Sequence, residues 1–369
     1  MHRTHHLLQG VSLMYHQRKN YVSQLESEFD GRLISYVTSD RAFFETQIAP
    51  DAIDLFIAHL DKIGTVKRLI LFLYTRGGDT SVAWNIVNLL RIYCDELYVI
   101  VPHKAHSAGT IISIGADKII MTKQATLSPI DPSITTQLNP MVNVGPFIQP
   151  LPISVEAING YIELAKKEFL MESPEQLQNA LIKLSELIHP LVLGQAYRSR
   201  AQIRMFAERL LVHQIKDEDK EKEKVKTNRI IAFLCGDSGS HDYTINRREA
   251  EKELGLNIQK PSNEQYTIIK KLYDDYSNEL GFGQIFHPKN VNGAFTIRRA
   301  FIESINGNSD YFVTEARAVP VVTPDGQNTY NIDTDFEGWR HESDVGNITQ
   351  QSDELGGILR YEATNEFGL

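Results

Sequence analysis

The chain has few cysteines, no excess of positive charge and no long apolar run. Cys94 and Cys235 are the only cysteines in 369 residues, and neither has a cysteine or histidine at metal-ligand spacing. This excludes a disulfide framework and a zinc site. The net charge of −9 and the pI of about 5.8 exclude a global electrostatic footprint for nucleic acid or an anionic membrane.

The apolar runs are also too short for a membrane protein. Each falls far below the roughly 20 residues that a membrane-spanning helix needs. The first ten residues are polar and lack the apolar stretch and the cleavage site of a secretory signal. We therefore expect a cytoplasmic protein with reduced thiols, no bound metal, no nucleic-acid partner and no membrane partner.

What is present is enough apolar sequence for a large core, since 42% of the residues are hydrophobic. From about residue 30 the pattern alternates between strands and helices. It predicts strands at 32–37, 66–74, 96–101 and 118–121, and helices at 50–63, 80–93 and 107–115. Because these strands are nearly continuous apolar runs, we expect helices on both faces of a mostly parallel sheet.

The rest of the chain predicts a helical insertion and a β-rich end. Helices are predicted at 154–171 and, unusually long, at 174–214, followed by a solvated charge run at 216–224. A further helix at 263–280 precedes β-rich runs between about 293 and 332, which are separated by turn signals. We divide the chain into an N-terminal segment (1–30), an α/β domain (31–258) and a C-terminal helix with a small β-rich appendage (259–369).

Three short segments follow predicted strands, where functional sites of parallel sheets usually lie. In the first, Tyr74-Thr-Arg-Gly-Gly-Asp79, glycines allow close approach of backbone N–H groups to a ligand, although the segment also fits an ordinary tight turn. In the second, His103-Lys-Ala-His-Ser-Ala-Gly-Thr110, a serine precedes a helix that favours developing negative charge, although serine is also a common N-cap. In the third, Leu127-Ser-Pro-Ile-Asp-Pro132, two prolines rigidly present Asp131.

The succession of these segments resembles the Clp-fold serine peptidases, and most closely the serine dehydrogenase proteinase family, which is related to signal peptide peptidase A and the Clp protease proteolytic subunit. The likeness covers roughly residues 33–258. It implies a Clp/crotonase-like α/β fold and a serine endopeptidase that cleaves polypeptides without a cofactor. It further implies that Ser107 is the nucleophile and that N–H groups near Gly78 and Ala108 form the oxyanion hole.

The sequence departs from the Clp proteolytic subunit in the position of the catalytic base. That relative has a histidine one strand and loop after the serine, where this chain has Asp131 instead. Its aspartate lies shortly before a later helix, close to the place that His241 occupies here. The family resemblance therefore implies a triad in the order Ser107, Asp131, His241, and triads do recur in different chain orders.

Other bases and other functions stay open from the sequence. His189 precedes a proline within the long apolar helix, His106 adjoins the nucleophile, and Lys166 or Lys167 would be the choice if the base were lysine, as in signal peptide peptidases. A crotonase-like enzyme acting on acyl-CoA would use the same oxyanion hole without a nucleophilic serine. An inactive scaffold would use the β-rich end to bind a partner.

The long predicted helix also suggests self-assembly. Four of its apolar residues, Leu184, Leu187, Leu191 and Ile203, are candidates for contact with a second copy, so we expect a homo-oligomer.

Overall fold

The computed structural model describes residues 2–144, 147–215, 219–237, 243–291, 293–322 and 328–342. The helices are α1 (His2–Phe29), α2 (Ala52–Ile63), α3 (Thr80–Ile92), α4 (Ala108–Ile114), α5 (Val155–Lys167), α6 (Pro174–Leu187), α7 (Pro190–Leu211), α8 (Lys220–Ala232), α9 (Arg247–Lys252) and α10 (Asn263–Leu280). A π-helical turn (Phe233–Asp237) follows α8, and a 3-10 turn (Pro288–Asn290) follows α10.

The strands of the main sheet include the four that the sequence predicted. They are β1 (Arg32–Thr38), β2 (Val66–Tyr74), β3 (Cys94–Val101), β5 (Lys118–Met121), β12 (Ile258–Gln259), β13 (Gly293–Ser304), β14 (Asn308–Val322) and β15 (Asn328–Glu342). The shorter strands are β4 (Lys104–Ala105), β6 (Thr126–Leu127), β7 (Ser133–Ile134), β8 (Met141–Val144), β9 (Phe147–Pro150), β10 (Ile153–Ser154) and β11 (Ile245–Asn246).

The main sheet is mixed, with a parallel part and an antiparallel part. Its strand order is β12-β5-β3-β2-β1-β13-β14-β15. Strands β12, β5, β3, β2 and β1 pair in parallel, and β13 then pairs antiparallel to β1, with Ile34 opposite Ser304. The β-rich end of the chain is thus hydrogen-bonded to the α/β domain within one continuous sheet.

Helices pack on both faces of this sheet, as the apolar strands predicted. On one face, α2, α3 and α4 cover the sheet with buried side chains such as Phe56, Ile86 and Ile112. On the other face, α1 and α10 contribute side chains such as Leu25 and Leu272. The predicted fold class is therefore confirmed as an α/β fold with a large, mostly parallel sheet.

The predicted helix at 174–214 is interrupted, and this part of the prediction is wrong. Helix α6 ends at Leu187 and α7 begins at Pro190, with Ile188 and His189 in extended conformation between them. The break follows from Pro190, which disfavours helical dihedrals at the preceding residue but is well suited to the first position of a new helix. His189 is consequently an N-cap rather than a residue within a helix.

The N-terminal segment packs against the rest of the fold through α1. Val22, Leu25 and Phe29 of α1 are buried against the sheet, and the Arg18 side chain is fully buried. Of the predicted charge run at 216–224, residues 216–218 lie outside the described residues. Asp219 caps α8 with its carboxylate, and the residues after it form the first turn of that helix.

Among the helices that the structure describes, none is long and apolar enough to cross a membrane.

Candidate active site

Ser107 has an unusual backbone conformation immediately before α4. Its φ of +51° and ψ of −112° lie outside the regions that L-residues normally occupy. Such a conformation costs on the order of 1–3 kcal/mol and persists only where the surroundings enforce it. The Ser107 side chain makes no capping hydrogen bond to α4. Ser107 therefore occupies the N-cap position of α4, but its hydroxyl does not cap the helix.

Two neighbouring residues enforce the conformation of Ser107. The Ser107 N–H donates to the hydroxyl of Ser128 at 2.8 Å, and this hydroxyl donates in turn to the carbonyl of Pro129 at 2.9 Å. The Thr110 hydroxyl donates to the carbonyl of Ser128 at 2.8 Å. Both side chains are buried. This polar network joins the start of α4 to the loop after β6.

The glycine turn after β2 lies directly against Ser107. Thr75 forms a parallel bridge with Ala105, and a Cβ atom on Gly77 would lie 2.8 Å from the Cβ of Ser107. Gly77 and Gly78 have φ values of +119° and +144°, which L-residues with side chains rarely adopt. The turn therefore requires glycine at both positions, for its conformation and for the close approach at Gly77.

Two backbone N–H groups near Ser107 are free among the described residues. The Ile48 N–H donates to the Gly77 carbonyl, and the Ile48 carbonyl accepts from the Asp79 N–H, both at 2.8 Å. The N–H of Gly78, which lies between these two bonds, has no acceptor among the described residues. The N–H of Ala108, at the first position of α4, also has no acceptor. These are the two groups that the sequence predicted for an oxyanion hole.

Asp131, in the loop after β6, contacts the N-terminal end of α5. Its carboxylate accepts a hydrogen bond from the Ser154 hydroxyl at 2.7 Å and another from the Glu156 N–H at 3.3 Å. A carboxylate can accept about four hydrogen bonds, so these two contacts leave capacity for an imidazole. The contacts also supply a structural role for Asp131 as an anchor of the helical insertion.

His241 lies outside the described residues, but the chain on both sides of it is anchored near the site. On the N-terminal side, the Leu234 carbonyl accepts from the Ile130 N–H at 2.7 Å. On the C-terminal side, Ile245 pairs with Leu127 in the β11–β6 ladder. The residues that hold the two flanks are Leu127, at the end of β6, and Ile130, in the loop that contains Ser128 and Asp131.

The other candidate bases are engaged elsewhere or exposed. The His106 ring contacts the Thr126 hydroxyl through Nε2 at 2.9 Å. His189 is exposed, and its Nδ1 accepts from the Leu191 N–H at 3.2 Å. Lys166 and Lys167 are exposed and pair with a glutamate of their own helix. Within the described part of the chain, the Ser107 hydroxyl has no hydrogen-bond partner.

A partly buried charge pair lies beside Asp131, and no sequence pattern pointed to it. Glu156 lies 3.0 Å from the Nε of Arg200, on α7. Burial raises the pKa of Glu156, Arg200 opposes this shift, and the negative charge of Asp131 adds to it. No local pattern connects positions 131, 156 and 200, so only the packing of α5 against α7 brings them together.

A second polar cluster lies at the neighbouring strand ends. The carboxylate of Asp40, just after β1, accepts from the Tyr74 hydroxyl at 2.7 Å and from the Lys104 ammonium at 2.6 Å. Burial alone would raise the pKa of Asp40, but the hydrogen bonds from Lys104 and Tyr74 outweigh it and lower that pKa. Among the described residues, no three histidine, cysteine, aspartate or glutamate side chains are grouped to hold a metal ion.

A strained serine beside a glycine turn with free N–H groups, on a mostly parallel sheet, defines a class of α/β hydrolases with a serine nucleophile. Comparison with known proteins agrees. Residues 62–144, which include the glycine turn, Ser107 and Asp131, match the model of the ClpP-like SDH-type serine proteinase family. This match confirms the recognised resemblance over residues 62–144 and, with it, the enzyme class, a serine-type peptidase.

Two relatives in the archaeon Methanocaldococcus jannaschii are similar in sequence. The uncharacterized protein MJ0137 is 28% identical over 230 residues, which cover 62% of this chain and 67% of the relative. The uncharacterized protein MJ1495 is 39% identical over 64 residues, which cover 17% of this chain and 22% of the relative.

Two solved structures are also similar, both of the 1510-N membrane-bound stomatin-specific protease. A serine-to-alanine mutant has 15% identity and a TM-score of 0.34, covering 62% of this chain and 79% of that chain. A lysine-to-alanine mutant in complex with a substrate peptide has 15% identity and a TM-score of 0.30, covering 62% of this chain and 94% of that chain.

Proposed function

We propose that this protein is a serine endopeptidase that cleaves polypeptides through an acyl-enzyme on Ser107. The observation that carries the proposal is the strained backbone of Ser107, whose hydroxyl does not cap α4, beside N–H groups of Gly78 and Ala108 that have no acceptor among the described residues. In this reaction the Ser107 oxygen attacks the peptide carbonyl carbon, and the two N–H groups stabilise the resulting oxyanion. The amine then leaves, and water hydrolyses the acyl-enzyme.

We further propose that His241 is the general base and that Asp131 orients it. The chain flanking residues 238–242 is anchored beside Ile130 and Leu127, so a segment of this length begins and ends near the loop of Asp131. His241 would take the Ser107 proton and pass it to the leaving amine. Asp131, already oriented by Ser154, would accept from the other ring nitrogen.

The experiment is covalent labelling with a fluorophosphonate, followed by mass measurement of the intact protein. We expect the wild type to gain the mass of the probe, Ser107→Ala to stay unlabelled, and His241→Ala to be labelled at least about 10³-fold more slowly, since members of a triad act as a unit. The rate should fall as the pH drops below about 6.5, because a protonated imidazole cannot accept the proton.

His189→Ala is the matched control, because His189 is exposed and caps α7. It should be labelled at the wild-type rate. Full labelling of His241→Ala would overturn the assignment of the base, and full labelling of Ser107→Ala would overturn the nucleophile. A wild type that stays unlabelled would favour the crotonase-like acyl-CoA enzyme or the inactive scaffold.

The same proposal includes a cytoplasmic homo-oligomer. Both described cysteines are free thiols, and burial raises the pKa of Cys235 to about 12 and that of Cys94 to about 11, which keeps them protonated and unreactive. Free thiols are usual in a reducing compartment. Exposed apolar side chains on α6 and α7 support self-assembly, which is tested below.

A further inference from the structure

Residues 39–51 connect β1 to α2 and determine where the Gly78 N–H points. The N–H of Ile48 donates to Gly77, and the carbonyl of Ile48 accepts from Asp79. A Cβ atom on Gly78 would lie 2.3 Å from the Ile48 carbonyl oxygen, so the two backbones are in direct contact. A movement of Ile48 would therefore displace the proposed oxyanion donor.

The same segment is fastened to β13 two residues before Ile48. The Thr46 hydroxyl donates to the Arg299 carbonyl at 2.5 Å and accepts from the Ser39 N–H at 2.9 Å. The Arg299 guanidinium donates to the carbonyls of Phe44 at 3.3 Å and Glu45 at 2.5 Å. The backbone of residues 44–46 thus depends on a strand that comes from the far end of the chain.

Arg299 is itself held by the two outermost strands of the sheet. Its Nη1 donates to the Thr314 hydroxyl on β14 at 3.1 Å and to the Glu337 carboxylate on β15 at 2.7 Å. The side chain is only 15% exposed. A continuous series of contacts therefore runs from β15 through Arg299 and Thr46 to Ile48 and Gly78.

We infer that Arg299 and Thr46 are positioning residues for the oxyanion hole, and that the C-terminal part of the sheet is required for the activity of the site. This inference rests on the proposed function. Oxyanion donors act only when they lie at hydrogen-bond distance from the position of the developing charge, so small displacements reduce the rate strongly. The C-terminal strands thereby acquire a role within the site, in place of an independent partner-binding role.

The test compares four variants in fluorophosphonate labelling. Arg299→Met removes the guanidinium bonds to the carbonyls of Phe44 and Glu45. Thr46→Val removes the hydroxyl that bonds to the Arg299 carbonyl and the Ser39 N–H, whereas Thr46→Ser keeps that hydroxyl. Arg317→Met is the matched control, because Arg317 pairs with Asp335 across the same two outer strands without contacting residues 39–51. We expect the maximal labelling rate to fall at least about tenfold in Arg299→Met and Thr46→Val, with the half-saturating probe concentration nearly unchanged.

Thr46→Ser and Arg317→Met should be labelled at rates close to that of the wild type. Labelling of folded Thr46→Val at the wild-type rate would overturn the inference, as would an equal loss in Thr46→Val and Thr46→Ser. If Arg299→Met does not fold, the two Thr46 variants decide, because Thr46→Val exchanges only the hydroxyl for a methyl group, whereas Thr46→Ser keeps the hydroxyl and loses only the methyl group.

Hydrogen exchange provides a measurement that does not depend on activity. The peptide that contains residues 75–79 includes the Asp79 N–H, which donates to Ile48. Its exchange should be faster in Arg299→Met and Thr46→Val than in the wild type, Thr46→Ser and Arg317→Met. If the wild type is not labelled, the proposed function fails, and unchanged exchange in Thr46→Val would separately overturn the link between β13 and the glycine turn.

Discussion

At the residue scale, the strained conformation of Ser107 costs free energy that contacts with its neighbours offset. The positive φ is disfavoured for serine, and the bond from the Ser107 N–H to Ser128 compensates for part of this cost. The bond also occupies the Ser107 N–H, so that the next N–H along the chain, at Ala108, is the one available to an oxyanion. We therefore expect Ser128 to position the proposed nucleophile by holding the Ser107 backbone.

Ser128→Ala should weaken the reactivity of Ser107 more than it weakens the fold. Loss of the hydroxyl leaves the partly buried Ser107 N–H without its acceptor, at a cost of about 1–3 kcal/mol in the free energy of unfolding. The strained conformation then loses its main restraint, and we expect fluorophosphonate labelling to slow at least about tenfold.

Denaturant unfolding and labelling rates measure the two effects separately. Ser133→Ala is the control, since Ser133 is exposed on β7, directly after this loop, and it should change neither quantity. Wild-type labelling of folded Ser128→Ala would contradict the positioning role.

At the element scale, α1 is held to the fold by one buried arginine. The Arg18 guanidinium forms two hydrogen bonds with the Glu303 carboxylate on β13, at 2.9 and 2.8 Å, and one with Asp275 on α10 at 2.8 Å; it also contacts Glu279. Its planar group lies over the rings of Tyr276 and Phe301. One side chain thus joins the first helix, the last helix and the antiparallel part of the sheet.

Arg18→Met should lower the free energy of unfolding by about 3–5 kcal/mol, because it leaves the buried carboxylate of Glu303 without its positively charged partner. Chemical denaturation followed by circular dichroism measures this change. Arg32→Met is the control: Arg32 pairs with Glu26 but its side chain is 53% exposed, so the loss should stay below about 1 kcal/mol. Equal losses in the two variants would contradict the anchoring role of Arg18.

At the scale of the whole molecule, the helical insertion carries an unpaired apolar surface. Of the four apolar residues that the sequence suggested for self-assembly, Leu184 and Ile203 are buried within the single chain, so their assignment to an interface is wrong. Leu187 and Leu191 are 76% and 68% exposed, on either side of the break between α6 and α7. Exposed apolar side chains of this kind are typical of contact surfaces.

We expect light scattering to give a mass that is a multiple of 41.9 kDa. The double variant Leu187→Glu, Leu191→Glu should dissociate, since it places charges in the apolar contact. Lys183→Glu is the control on the same helix, because Lys183 is exposed and pairs only with Glu186. A wild type with the mass of a single chain at every concentration would contradict the assembly.

The sequence by itself predicted the central strands and helices of the α/β domain and the position that we propose for the nucleophile. Continuous apolar runs predicted β1, β2, β3 and β5, because burial on both faces imposes that composition. Gly77 and Gly78 indicated a close approach of the backbone to a ligand, and the structure shows that Gly77 also lies directly against Ser107. The break before α7 could also have been predicted, because Pro190 disfavours helical dihedrals at His189.

Only the tertiary structure decided the contacts between distant parts of the chain. Nothing near Arg299 in sequence indicates that it holds residues 44–46, and nothing near Arg18 indicates its contact with Glu303. These contacts follow from β13 pairing with β1, and sheet order is set by the packing of the whole core rather than by local propensity. The pattern of apolar residues along a segment predicts a strand, but which strand it pairs with depends on how the intervening chain folds.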